Sequence, residues 1–99
     1  MTWPESVTVA VLNGTTVPGL ARTLGDQIEG QGFKIGNVTN STDQERAESV
    51  VLYANGAERE AADVGRRLKI SQREAIDAES QALAGDATVV VIAGADKTP

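Results

Sequence analysis

The sequence predicts an α/β fold: a single-domain two-layer sandwich with one central sheet of four to five strands and two helices packed on it, in the order β-α-β-β-α-β(-β). Three observations predict this. Apolar runs of strand length stand at residues 7–12 (VTVAVL), 49–54 (SVVLYA) and 87–92 (ATVVVI). Segments with helical spacing follow the first two runs. The plan strand, Asn-Gly, helix, strand also occurs twice, over residues 9–35 and 50–76, a weak internal repeat of half-domain size. Residues 1–6 read as a lead-in, 7–96 as the domain and 97–99 as a tail.

The elements follow in order. Pro4 cannot donate to a sheet ladder, so the first strand starts at Ser6 or Val7. Asn13-Gly14 ends it, both residue types tolerating a sharp exit. Thr15 or Thr16 is the expected cap of the next helix, with Pro18 in its first turn. Val17, Leu20, Ala21, Leu24 and Ile28 form one helical stripe, and Gly30 and Gly32 bracket its end. Gly25 is out of place in mid-helix and predicts close packing against a strand. Residues 33–38 alternate as a second strand. Residues 39–48 are a polar loop, with a helical turn at 43–47 as an option. Ala57, Ala61, Val64 and Leu68 line the second helix. A short strand covers 72–76, and Asp77 caps a helical turn to Ala84 with Leu83 inward. Gly85-Asp86 turns into the last and most apolar strand, followed by a polar tail from Gly94.

Two strand orders fit. If the polar loop is a hairpin link, the sheet is ferredoxin-like with antiparallel neighbours. If it is a crossover, the sheet is mostly parallel and both Asn-Gly turns share one sheet edge. The loop is short for a crossover helix, and on that ground the first, ferredoxin-like order is preferred. The apolar strands favour the second.

Composition removes whole classes of chemistry. The 99 residues hold 40% apolar residues but one Phe, one Tyr and one Trp, so the core is aliphatic. The net charge of -5 argues against nucleic acid and anionic membrane surfaces. With no Cys and no His, thiol and imidazole nucleophile–base pairs, disulfides and the usual zinc sites are gone. No apolar run reaches the ~20 residues of a membrane helix. No cofactor and no metal site are expected.

One weak ligand-binding candidate remains: the strand-to-helix loop with Asn13, Gly14, Thr15, Thr16 and Gly19. N–H groups at a helix start favour phosphate or carboxylate. The competing reading, a capped helix, is preferred, because the glycine spacing is not that of a phosphate cradle, Pro18 removes a donor and the loop has no Lys or Arg. The matching loop at Asn55-Gly56 already carries Glu58 at the helix start. The pairs Glu58/Glu60, Glu45/Glu48 and Asp77/Glu79 read as solvated faces and caps. The basic cluster Arg66, Arg67, Lys69 and Arg73 reads as a helix C-terminal complement. Tyr53 reads as a strand residue at a sheet edge, and Trp3 as a docking or linker residue.

Three stretches carry a family resemblance. VAVLNGTTVPGLA (residues 9–21), VVLYANGAEREA (50–61) and TVVVIAGAD (88–96) resemble the LytR C-terminal domain, although Ala93 stands where a larger apolar residue is usual. Such domains accompany LytR-CpsA-Psr envelope proteins, whose catalytic part attaches glycopolymers to peptidoglycan. Nothing here matches that catalytic part. The resemblance implies no enzyme but a non-catalytic extracellular accessory or binding domain, with a cell-wall polymer or envelope protein as partner. Its implied place is the outer face of the cell membrane, tethered by a segment outside these residues. The alternative is a structural module that self-associates or spaces a neighbouring domain. An enzyme would need carboxylate-only or metal chemistry.

Overall fold

In the computed structural model, which describes residues 7–42 and 44–97, the chain runs β1 (Thr8–Asn13), α1 (Leu20–Gly30), β2 (Lys34–Asn40), β3 (Val50–Tyr53), α2 (Glu58–Leu68), β4 (Arg73–Ala75), α3 (Ala78–Ala84) and β5 (Val89–Ala93), then a 3-10 turn at Ala95–Lys97. The readings placed on Trp3, Pro4, Asp43, Thr98 and Pro99 lie outside the described residues. The strands form one sheet in the order β2-β1-β5-β3-β4. Three ladders are parallel, β1 with β2, β1 with β5 and β3 with β4, and β3 with β5 is antiparallel.

The ferredoxin-like order is therefore not the one adopted. Each β-α-β unit keeps its two strands as direct neighbours, and β5 enters between the units. All five residues of β5 are buried, so this strand needs partners on both edges and cover on both faces. The centre of the sheet satisfies that need. The polar loop is neither hairpin nor helical crossover. It passes across one end of the sheet, where Arg46 N–H donates to Gly14 O (2.9 Å) and its carbonyl accepts from Ala95 N (2.9 Å). Because β3 runs against β1, the two Asn-Gly turns lie at opposite ends of the sheet. The expectation that they share an edge fails for this reason. Tyr53 also lies on an interior strand, pairing with Val89 and Ala75.

The strands alternate between two faces. Val9, Val11, Val51, Val89 and Val91 meet Leu20, Ala21, Leu24 and Ile28 of α1 and Ala61, Val64 and Leu68 of α2. Ala10, Leu12, Val50, Leu52, Val90 and Ile92 meet Ala84 and Ala87, with Leu83 and Ile76 at the margin. The second face thus carries α3, a third layer beyond the two expected. Asp77 caps α3 as its sequence implies, accepting from Ser80 N. Hydrogen bonding from the Ser80 side chain, helped by first-turn backbone N–H groups, holds the Asp77 carboxyl below its usual pKa.

The segment after β5 is pinned in place. Asp96 accepts from both the Ser49 hydroxyl (2.7 Å) and the Ser49 N–H (3.0 Å). The same hydroxyl accepts from Gly94 N (2.8 Å). Gly94 is required there, since a Cβ would sit 2.5 Å from the Glu48 carbonyl carbon. Lys97 reaches across to the Leu68 carbonyl at the end of α2 (2.9 Å). The Gly-Ala-Asp ending is thus a clasp between β5, the start of β3 and α2. It is not a free polar tail.

Candidate functional site

The strand-to-helix loop after β1 holds itself together. Asn13 is buried, and its side-chain oxygen accepts from Thr15 N (2.9 Å) and the Thr15 hydroxyl (2.7 Å). Its amide nitrogen donates to Val17 O (2.7 Å). The Thr15 hydroxyl accepts from Val17 N (3.1 Å), and Gly14 N donates to Ala93 O (2.8 Å). Short polar side chains favour such local turns over continued regular structure. Thr15 therefore closes a turn and does not cap α1. The cap position is Gly19, at φ 79°, ψ 0°, with no side-chain hydrogen bond. Pro18-Gly19 takes the form of a type II turn, which moves the helix start on to Leu20.

Of the five residues expected at a ligand site, Asn13, Gly14 and Thr15 are brought together. Their donors point inward, at each other and at β5. Thr16 is exposed and Gly19 stands at the α1 entrance. The N–H groups of Gly14, Thr15 and Val17 are thus already engaged, and Pro18 has none to give.

The open surface lies beside this loop. A groove of about 440 Å3 runs between α1 and the edge strand β2, lined by Arg22, Gly25, Asp26, Glu29, Ile35 and Val38. A shallower one of about 310 Å3 continues past Asn13 and Gly19 to Thr39 and Asn40. A bulge in β2 shapes the first groove. Val9 pairs with Ile35 but Val11 with Val38, so β2 carries one extra residue at Gly36-Asn37. The extra residue brings both Ile35 and Val38 to the α1 side. Val38, at 41% exposure, is the exposed large hydrophobic among the described residues.

Gly25 forms the groove's floor. Gly25 is buried against β1 and β2, but that packing does not require a glycine: an added Cβ would stand 3.7 Å from Val38 Cγ2 and 3.9 Å from Val11 Cγ2, ordinary contacts. The helix accepts a residue about 1 kcal/mol worse than Ala where a methyl fits. Sequence reasoning noticed Gly25 but not the groove. The bulge that turns Val38 toward α1 leaves no mark in strict alternation.

The basic cluster is mostly used internally. Arg66 and Arg67 both bond Asp63 (2.5 and 3.2 Å). Arg67 lies 5.5 Å over the Phe33 ring, joining the ends of the two helices. Among the described residues no three Asp or Glu side chains converge on a metal-sized space.

The family model described as "LytR cell envelope-related transcriptional attenuator" matches residues 6–96. Among solved structures, the soluble domain of a conserved hypothetical secreted protein from Mycobacterium marinum, the Rv2700 ortholog, superposes with a TM-score of 0.75 at 16% identity, over 98% of this chain. The chain spans 64% of that structure, just under two thirds. The C-terminal domain of RV0431 aligns at 24% identity with a TM-score of 0.48, over 89% of this chain and 71% of the other. No curated protein sequence matches this one significantly.

Proposed function

The chain belongs to the LytR C-terminal domain family, an accessory domain of cell-envelope proteins, and on that premise we propose that it is a non-catalytic, extracellular binding domain that contacts a cell-wall polymer or an envelope protein. The observation that carries this reading is the match along nearly the whole chain, residues 6–96. The open α1–β2 groove supplies a surface on which binding can occur. The secreted character of the Mycobacterium marinum neighbour supports an extracellular setting. The absence of His and Cys from the sequence removes the commonest catalytic bases and nucleophiles.

Co-sedimentation of the purified chain with peptidoglycan sacculi, and capture against teichoic-type polymers and purified envelope proteins, tests the proposal. Saturable binding to one of them is expected. A folded chain that binds none of them overturns it. A second reading, self-association, draws on β2, which pairs on one edge only among the described residues. Sedimentation over a wide concentration range decides it: a strict monomer throughout removes this reading.

A further inference from the structure

We propose that the groove between α1 and β2 is a docking site for an extended polypeptide segment that presents an aliphatic side chain and, two residues away, a lysine or arginine. The inference rests on the accessory-domain reading and assigns its binding surface and the chemistry of its partner.

The apolar half of the groove is Val38 and Ile35 over Gly25. Val38 is left in water although Val11, its partner in β1, is fully covered. A methyl at residue 25 meets no clash, so sterics do not demand the glycine. The glycine's effect is to deepen the groove beneath Val38. The polar rim is Arg22, one turn before Asp26, then Asp26 level with Gly25, and Glu29 one turn after Gly25. Neither Asp26 nor Glu29 has a salt bridge or side-chain hydrogen bond among the described residues, so this pair of carboxylates is available to a cation from outside.

Spacing selects an extended chain. Same-face side chains of an extended peptide recur every ~6.6 Å. One turn of α1, from Gly25 to Glu29, advances about 6 Å. A peptide lying along the groove with its aliphatic side chain over Gly25 therefore sets its next same-face side chain at Glu29, past Asp26. The outer edge of β2 offers backbone groups to such a segment. The bulge at Gly36-Asn37 breaks that edge, so the side-chain pair sets the specificity in place of a long ladder.

The test is an NMR titration of the 15N-labelled chain with the end-blocked octapeptide Ser-Val-Ser-Lys-Ser-Val-Ser-Lys, its Glu-for-Lys counterpart, and N-acetylglucosamine tetramer. The lysine peptide is expected to shift the amides of Gly25, Asp26, Glu29 and Val38. The glutamate peptide, and the lysine peptide with an Asp26→Asn/Glu29→Gln chain, are expected to bind about five-fold weaker or worse. Val38→Ser, at an exposed position, weakens the lysine peptide without unfolding the chain. Absence of shifts, shifts elsewhere, equal binding of the two peptides, or groove shifts with the saccharide alone each overturn the assignment. Sacculus or protein capture that persists unchanged in these variants leaves the accessory-domain role standing and removes only the groove.

Discussion

The two β-α-β units of this chain share a plan in sequence and differ in what each glycine and asparagine does. In the first unit, Asn13 is buried and ties three backbone or hydroxyl groups of its loop. In the second, Asn55 is exposed. Gly14 is needed because a Cβ would stand 2.7 Å from Ala93 O, a matter of closeness. Gly56 is needed because its backbone takes φ +90°. The helix ends repeat the contrast. Both close with an N–H reaching back five residues, Phe33 to Ile28 O and Ile70 to Gly65 O. In α1 the left-handed residue before that bond is Gly32. In α2 it is Lys69, the one non-glycine with positive φ among the described residues. A similar backbone path is thus specified by different residues. The same dipeptide, Asn-Gly, has two different physical causes.

The asparagines should give the largest contrast. Asn13→Ala strands a buried threonine hydroxyl and its partners and is expected to cost about 3 kcal/mol, while Asn55→Ala stays within about 0.5 kcal/mol. Urea melts of the two variants check this, and equal costs would erase the distinction. Next come the mid-helix glycines, where one substitution should act with opposite signs. Gly65→Ala places a Cβ 2.7 Å from Ile70 O and should lose about 2 kcal/mol. Gly25→Ala, with room for its methyl, should gain about 0.5–1 kcal/mol. If both destabilise in thermal unfolding, the Gly25 floor is more tightly packed than its distances say.

Lys69→Gly should bring the second unit to the first unit's solution and add about 0.5–1 kcal/mol, because a left-handed lysine carries a strain that glycine does not. Of similar size is the effect at α3, which neither unit contains. Asp77→Ala should cost about 1 kcal/mol at neutral pH through the lost cap. Since its folded pKa is lowered, the charged cap's contribution is complete above the ordinary carboxyl value of about 3.9 and fades as the pH drops through the lower folded value. Asp77→Asn should keep the cap and remove that acid dependence, as amide exchange of the α3 backbone across pH 2–5 would show.

Much of this was legible in the chain itself. Uninterrupted apolar runs place β1, β3 and β5, alternation places β2, and the 3.6 period places both long helices, since burial on two faces or on one imposes these patterns locally. Asp77 announces its cap within three residues. The stretch from residue 7 to residue 28 carries the family's signature. The candidate site was less legible. Asn13, Gly14 and Gly19 stand out as residue types, yet their roles depend on the carbonyl of Ala93 and the turn at Pro18. The groove depends on a one-residue bulge in β2.

The sequence by itself determined the α/β class, the aliphatic core, the family and the loss of thiol and imidazole chemistry, because these follow from residue identity and local spacing. The tertiary structure alone decided the strand order, the third layer and the clasp of Asp96 on Ser49. Each of those joins residues far apart in the chain. The choice among them was made by where the fully apolar β5 could be covered on both faces and both edges, a condition that no local window contains.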